Sequence, residues 1–384
     1  MLILFAAAKA MAELAERLGQ PGIVGEILAG VLIGPSVFGW LHPNDFLNAL
    51  SDLGAMFLLF RVGLEVRSSE LLKVGSTAAL VASAGVVLPF FMGWGILLLW
   101  GASQHEAIFM GAAMVATSVG ITAQVLASNG LLHLLSSKII LAAAVIDDVL
   151  GLLVLAVVSS ASRGQMHWLE LAITALLALG FTLVVARWGT RAMQAVAPFV
   201  ETSLHVAESQ FVVAMLLLFS LAVLAIYSGV AAIVGAFLAG MALADSSSRR
   251  VHDMAQGVSE LLIPFFLAGI GLKVSLDVFT QTSTALLAIV ILVAAIVSKF
   301  VGCGLGAARL GRLEAVRVGV GMIPRGEVGM VVAQIGLSMG VVEQNIYGVV
   351  VCMSLLTTVI TPMLLKLAFK DAMRRPTEDT LRLA

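Results

Sequence analysis

Two adjacent aspartates and one lysine stand in stretches of sequence that are otherwise apolar. Asp147 and Asp148 lie within residues 139–154, and Lys299 lies within residues 296–301. A carboxylate can hold a proton or a small hard cation. Burial and ion pairing act in opposite directions on the proton affinity of acids and amines, so a pair that opens and closes can take up and release protons. A permanent salt bridge between helices, or a protonated acid that only packs, is the structural alternative.

The composition makes these charges costly, because it places the chain in a lipid bilayer. Of 384 residues, 60% are hydrophobic and 12% are charged, and the mean hydropathy is +1.07. Each charge at the centre of a bilayer costs roughly 2.5–3.5 kcal/mol on insertion scales, which favours a functional role for it. The net charge of −1 excludes a nucleic-acid binder. Cys303 and Cys352 lie in apolar runs and are expected to be small buried residues rather than a disulfide or a metal site.

The hydropathy pattern predicts thirteen membrane spans of roughly 20 residues each, joined by short loops into a single transmembrane domain over residues 1–384. The predicted spans are about 2–16, 21–38, 49–66, 74–100, 105–128, 137–159, 167–187, 207–228, 230–246, 257–275, 281–307, 314–339 and 342–368. With the N-terminus outside, the outer loops hold only Arg163 and Lys273, whereas the inner loops and the tail hold sixteen basic residues. The excess of positive charge inside predicts an outer N-terminus and an inner C-terminus.

The two halves of the chain, about 2–159 and 207–368, resemble each other. IVGEILAG at residues 23–30 recurs as IVGAFLAG at 233–240, an offset of 210, with six of eight positions identical. FLLFRVGLEV at 57–66 recurs as FFLAGIGLKV at 265–274, an offset of 208. The offset displaces each span by seven, an odd number, so the repeats are inverted in the membrane. Inverted repeats are typical of secondary transporters, whose sites form at interrupted helices near the bilayer midplane.

The repeat also predicts where two helices are interrupted. Met114 and Met322 stand 208 residues apart, and each precedes a candidate break. In the second, Pro324 removes a backbone donor, and Arg325 and Glu327 can neutralise the two facing helix ends. In the first, the hydroxyls of Thr117, Ser118 and Thr122 suit a small alkali cation, although they can instead bond back to their own helix. Glu26 in the second span either lines a water-filled funnel or reaches the interface.

The polar motifs, taken in order, closely resemble those of the cation:proton antiporter-2 family, nearest to its NapA-type sodium/proton antiporters. The motifs are ATSVGIT at 116–122, AVIDDVLG at 144–151, SK at 298–299 and PRGEVG at 324–329. By resemblance, Asp148 is the ion-and-proton carboxylate, Asp147 pairs with Lys299, and Thr117 and Ser118 lie beside the ion site. The N-terminus is shorter than the family pattern, and Arg61 stands where the family has an apolar residue.

The resemblance implies an all-α fold of the NhaA-like antiporter type with two crossed, discontinuous helices. It implies a core bundle at about 49–159 and 257–368, a homodimerisation panel at about 1–40 and 167–246, and elevator-like alternating access. The expected activity is exchange of intracellular Na⁺ or Li⁺ for external protons across a bacterial inner membrane. We expect this exchange to move net charge and to involve no cofactor, nucleic-acid partner or enzymatic chemistry. A Kef-type potassium/proton antiporter and a sodium-coupled solute symporter are the alternatives.

Overall fold

The computed structural model describes residues 1–18, 20–162, 168–203, 208–273 and 282–373, and its regular elements are helices throughout these ranges. The helices are α1 (Leu2–Arg17), α2 (Gly22–Ile33), α3 (Asp45–Leu64), α4 (Ser68–Lys73), α5 (Gly75–Leu99), α6 (Gln104–Val115), α7 (Val119–Ser128), α8 (Leu135–Ser162), α9 (Trp168–Ser203), α10 (Ser209–Tyr227), α11 (Ala232–Leu243), α12 (Arg249–Leu272), α13 (Thr282–Gly306), α14 (Arg312–Gly321), α15 (Glu327–Ser338), α16 (Gln344–Ala368) and α17 (Lys370–Met373). A 3₁₀ turn at Ala308–Leu310 connects α13 to α14.

The described residues confirm a membrane protein with many spans. Eight helical segments are long and apolar enough to cross a bilayer, with α6 and α7 counted together, and three shorter apolar helices accompany them. The expected total of thirteen spans remains a prediction, because length and apolar character alone do not assign α1 or α14.

Local sequence signals set where several helices begin. Asn44 precedes α3, and its side chain accepts a hydrogen bond from the backbone N–H of Leu47 at 2.9 Å. Ser103 precedes α6 and forms a capping box with Glu106: the Glu106 N–H donates to the serine hydroxyl at 3.2 Å, and the Ser103 N–H donates to the Glu106 carboxylate at 3.0 Å. Such caps satisfy backbone donors that have no partner in the first turn of a helix.

Both predicted interruptions are present, and the inverted repeat is visible in the helix boundaries. The first helix is broken at residues 116–118, between α6 and α7, and the second at residues 322–326, between α14 and α15. The starts of α6 and α14 differ by 208 residues, as do the starts of α7 and α15. The same repeat therefore builds two half-helix pairs whose broken ends meet inside the protein.

The helices pack into two groups. In one group α3 packs on α11 and α12, with α1, α2 and α10 around them. In the other group α5 packs on α6, α8 and α13, and α14, α15 and α16 complete it. The groups meet where α3 contacts α7 and α2 contacts α16, and α9 contacts α8 on one side and α10 and α11 on the other.

Glycines allow the closest helix contacts in the first group, and the repeat duplicates these contacts. A Cβ at Gly30 would overlap the carbonyl of Ala268, and a Cβ at Gly271 would overlap that of Ile27, so α2 and α12 approach almost backbone to backbone. The matching pair, Gly240 and Gly63, does the same for α11 and α3. Small residues at helix interfaces permit this packing in membranes, where hydrophobic association between helices is weak.

Aliphatic and small side chains fill the interior of both groups. Cys303 and Cys352 are buried and form no disulfide, which agrees with their expected role as small core residues. The charged side chains that lie deepest in the second group are Lys299, Asp147 and Arg325, all with no exposed surface.

Candidate functional site

A completely buried ion pair joins α13 to α8. The Nζ of Lys299 donates to Oδ1 of Asp147 at 2.8 Å, and neither side chain has any exposed surface. The other carboxylate oxygen of Asp147 is also buried and accepts no hydrogen bond from the described residues. Removing either partner of a buried ion pair leaves the other charge buried without compensation, which is strongly destabilising. The burial of each residue therefore depends on the other.

The lysine ammonium also reaches two backbone carbonyls. It donates to the carbonyl of Gly85 on α5 at 2.7 Å and to that of Val115, the last residue of α6, at 2.8 Å. Because α6 is interrupted after Val115, its last carbonyls lack the partners that a continuous helix would supply, and they carry the negative end of the helix dipole. Lys299 thus compensates a broken helix end while it pairs with Asp147.

Arg325 lies at the same helix end. Its Nη1 donates to the carbonyls of Val115 and Ala116, and its Nη2 donates to that of Ala295 on α13, each at 3.1 Å. The positive guanidinium therefore lies at the C-terminal end of α6, where it compensates the negative end of the helix dipole. The predicted partner in this role, Glu327, begins α15, but its side chain lies outside the described residues.

Backbone and hydroxyl groups hold the two breaks against each other. The N–H of Ser118 donates to the carbonyl of Pro324 at 2.8 Å, and the Thr122 hydroxyl donates to the carbonyl of Gly321 at 2.7 Å. Thr122 thus bonds across the crossing to the end of α14, rather than back to its own helix. Its hydroxyl oxygen contributes to a structural bond in addition to any contact with an ion.

Asp148 lies in a different environment from Asp147. It is half-buried and lines a small cavity of about 10 Å³. The other lining residues belong to α3, α7, α8 and α11: Leu59, Val119, Leu141, Val145, Ile233, Val234 and Phe237. Neighbouring residues of a helix point about 100° apart, so one acid faces the buried lysine while the next faces the boundary between the two helix groups.

Thr117 and Ser118 lie at the first break, immediately before Val119, which lines this cavity. Ser118 lines a second small cavity of about 20 Å³ together with Arg325, Gly326 and Ser51, and Lys273 lies at its margin where α12 ends. The hydroxyl of Thr117 is buried and has no hydrogen-bond partner among the described residues. Leu59 and Ile233 line both cavities, so they separate the second cavity from Asp148.

Glu26 lines a wide cavity that enters from the opposite end of the molecule. Its carboxylate is 7% exposed and accepts a hydrogen bond from Nζ of Lys9 at 2.9 Å. The cavity measures about 670 Å³, and its other charged lining residues are Glu13, Glu16, Arg61, Glu260 and Lys366. Arg61, which departs from the family pattern, therefore lies at a polar cavity and not in the apolar interior.

The hydroxyl-bearing face of α16 was not predicted from the sequence. The Thr357 hydroxyl accepts from the N–H of Arg325 at 3.1 Å, and the Thr358 hydroxyl donates to the Arg325 carbonyl at 2.8 Å. These two threonines hold the second break in place. Their signal was available, because Ser354, Thr357, Thr358 and Thr361 recur at intervals of three and four residues, which places them on one face of a helix.

Comparison with known proteins identifies the family of this chain. The profile described as "Sodium/hydrogen exchanger, transmembrane" matches residues 1–370. The Na(+)/H(+)-K(+) antiporter GerN of Bacillus cereus is 32% identical over 367 residues, which cover 94% of this chain and 93% of GerN. The high-affinity Na(+)/H(+) antiporter NhaS3 of Synechocystis is 32% identical and is covered to 89%, with 97% of this chain aligned. The Na(+)/H(+) antiporter of Enterococcus hirae is 30% identical, over 92% of this chain and 93% of that protein.

A solved structure has the same fold. The sodium proton antiporter MjNhaP1 of Methanocaldococcus jannaschii superimposes with a TM-score of 0.65 over 96% of this chain and 95% of that one, at 16% sequence identity. At this identity the likeness is evidence for the fold alone. The family assignment rests on the sequence matches, which span nearly the whole chain. The chain belongs to the transmembrane sodium/hydrogen exchanger family.

Proposed function

We propose that the protein is a secondary active antiporter that exchanges Na⁺, or the related cation Li⁺, for protons. Family membership and the names of the sequence relatives support this class of activity. The observation that carries the proposal is the fully buried Lys299–Asp147 pair at 2.8 Å, with the half-buried Asp148 next to it on a cavity between two helix groups.

Asp148 is the proposed binding residue for the transported cation and for a proton. Its carboxylate is a hard oxygen ligand of the kind that alkali cations prefer, and the buried hydroxyl of Thr117 offers a further oxygen. A cation and a proton cannot occupy the same carboxylate oxygens together. A ligand shifts a conformational equilibrium only by binding the states differently, and this mutual exclusion supplies the required coupling.

Lys299 is the proposed second proton carrier. When Asp148 holds the cation, the ammonium releases its proton, and when protons return, it closes again on Asp147. If Asp148 and Lys299 each give up a proton for one monovalent cation, the cycle moves net charge. A membrane potential of 100 mV then contributes about 2.3 kcal/mol per charge moved.

The helix packing supports a moving core and a stationary panel. We propose that α5–α8 and α13–α16 form the core, and that α1–α3 and α10–α12 form a panel through which two copies dimerise. This division assigns α3 and α12 to the panel, because α3 packs on α11 and α12 packs on α2. The boundaries predicted from the sequence placed both of them with the core. Asp148 then lies at the surface where core and panel slide in an elevator-like cycle.

The proposed location is the inner membrane of a bacterium, with the N-terminus outside and the C-terminus in the cytoplasm. The distribution of Lys and Arg supports this orientation. It makes the wide cavity at Glu26 the cytoplasmic entrance, because this cavity is lined by the C-terminal ends of α1, α7 and α16. Intracellular cations enter there and are exchanged for external protons.

The test is cation-driven proton movement in proteoliposomes. Vesicles that hold a pH gradient and a fluorescent pH reporter are given pulses of Na⁺, Li⁺ or K⁺. The wild-type protein should dissipate the gradient on Na⁺ or Li⁺ addition, and Asp148→Asn should abolish the response. Asp52→Asn, which removes an exposed carboxylate from α3, is the matched control and should retain it. A response to K⁺ alone would indicate a potassium/proton antiporter instead. Sustained exchange by Asp148→Asn would overturn the site assignment, and solute uptake without proton movement would overturn the antiport itself.

A further inference from the structure

Pro89 lies inside α5, four residues after Gly85. In a continuous helix the N–H of residue 89 would donate to the carbonyl of residue 85. Proline has no N–H, and its ring crowds the carbonyl four residues earlier and turns it away from the helix. The carbonyl of Gly85 is therefore left without its intrahelical donor, in the middle of a membrane span where water is not available to replace it.

The Lys299 ammonium occupies this vacant acceptor. Its Nζ donates to the Gly85 carbonyl at 2.7 Å, the shortest of its three hydrogen bonds. An ammonium has three N–H donors, and here the acceptors are Gly85, Val115 and Asp147. Two of these three acceptors are available because a helical hydrogen bond is missing. The carbonyl of Val115 is free of a helical donor because α6 ends there, and that of Gly85 because Pro89 has no N–H.

Gly85 itself allows the lysine to come this close. A Cβ at this position would lie 3.3 Å from Nζ of Lys299 and would collide with Sγ of Cys303. On the other helix, a Cβ at Gly302 would lie 2.7 Å from the carbonyl of Ala84. Glycines on both sides of the interface thus bring α13 against the backbone of α5, so that the vacant carbonyl lies within reach of the ammonium.

We propose that Pro89 is a positioning residue for Lys299: by leaving the Gly85 carbonyl without a helical donor, it creates the third acceptor of the ammonium. The inference rests on the proposed antiport function for its significance. While Lys299 is protonated, the carbonyls of Gly85 and Val115 hold the ammonium next to the carboxylate and oppose the loss of its proton. Pro89 thus sets how firmly the charged lysine is held, without contacting it.

The test compares Pro89→Ala in the wild-type and Lys299→Gln backgrounds. Alanine restores an N–H that competes with Lys299 for the Gly85 carbonyl. A net hydrogen bond of about 1 kcal/mol corresponds to about a fivefold change in an equilibrium constant. The pH of half-maximal Na⁺-driven exchange should therefore shift by about 0.7 unit towards acid. The ionisable groups that act on the ammonium, Asp147 on α8, Arg325 in the second break and Cys303 on α13, stay unchanged in this variant.

The shift should be absent when residue 299 is glutamine, because no ammonium is then present to lose the carbonyl. Pro264→Ala, the same change inside α12, is the matched control and should behave alike in both backgrounds. An equal shift for Pro89→Ala in both backgrounds, or no shift in the wild type, would overturn the proposal and leave only a general effect of helix straightening.

The same set of variants is also compared by thermal unfolding in detergent, which needs no exchange activity. Here Pro89→Ala and Lys299→Gln should be non-additive, whereas Pro264→Ala and Lys299→Gln should be additive. Additive unfolding shifts for Pro89 and Lys299 would contradict the proposal. If the wild type shows no cation-driven proton movement, the proposed function fails, and the unfolding experiment still decides whether Pro89 acts through Lys299.

Discussion

Replacement of Lys299 by methionine should destabilise the protein more than replacement of Asp147 by asparagine, although the two residues form one ion pair. Methionine has a similar length but no donor, so Asp147 loses the ammonium and keeps a second oxygen that accepts no hydrogen bond from the described residues. Removal of one partner of a buried ion pair costs about 3–5 kcal/mol. The Gly85 carbonyl also loses Lys299, whereas the Val115 carbonyl retains Arg325 at 3.1 Å.

Asp147→Asn leaves more of the site intact. The asparagine oxygen can still accept from Lys299, and the ammonium keeps its bonds to Gly85 at 2.7 Å and Val115 at 2.8 Å. The two bonds to backbone carbonyls alone, at about 1 kcal/mol each, make this variant about 2 kcal/mol less destabilised than Lys299→Met. The double variant removes both charges together, so it should be less destabilised than the sum of the single variants by about 1–3 kcal/mol.

The free energy of unfolding of the four proteins is measured by SDS titration in mixed micelles, with circular dichroism as the signal. Val297→Met, on the exposed side of α13, serves as the control for the methionine substitution and should change little. If Asp147→Asn is as destabilising as Lys299→Met, the backbone carbonyls do not stabilise the ammonium. If the double variant equals the sum of the single variants, the two side chains are not coupled in the membrane-embedded protein.

Two further predictions concern the hydroxyl at the crossing and the charge that the cycle moves. Thr122→Val removes the 2.7 Å hydrogen bond to the Gly321 carbonyl, so it should lower the free energy of unfolding by about 1–3 kcal/mol. The Na⁺ concentration that gives half-maximal exchange should change less in this variant than in Thr117→Val. If Thr122→Val instead changes this Na⁺ concentration more than Thr117→Val does, the main role of Thr122 is to bind the ion. Lys299→Gln should leave exchange weaker or electroneutral, measured as Na⁺-driven proton flux with and without an imposed potassium-diffusion potential. Exchange that is still driven by the potential in this variant would remove Lys299 as a proton carrier.

The sequence predicted the scaffold well because the scaffold is repeated. Two independent matches at offsets of 210 and 208 located the broken helices, and Pro324 marked one of them directly. The cost of charge in a bilayer indicated that Lys299 pairs with an aspartate, and the resemblance to the antiporter family indicated which one, Asp147. The division between core and panel was harder, since α3 and α12 lie next to core helices along the chain and only their packing on α11 and α2 separates them from the core.

Backbone acceptors were the part of the site that residue types could not reveal. Val115 and Gly85 act through their carbonyls, and any residue type carries a carbonyl. Their availability is nevertheless encoded nearby, in the break after Val115 and in Pro89. The hydrogen-bond partner of Thr122 could not be predicted for another reason. Thr122 and Gly321 are 199 positions apart in the sequence, and only the crossing of the two broken helices brings them together.

The scaffold is symmetric, whereas the charges are not. Thr117 stands 208 residues before Arg325, and Phe91 stands 208 before Lys299, so neither cation has a counterpart in the first repeat. Both cations lie at the end of α6, while the end of α14 receives the neutral hydroxyl of Thr122. In contrast, the close contact at Gly30 and Gly271 is duplicated at Gly240 and Gly63. Duplicated packing is suited to two states of similar energy, which the proposed alternating access requires. A single charged centre fits the proposal that cation and proton compete for the same carboxylate in both states.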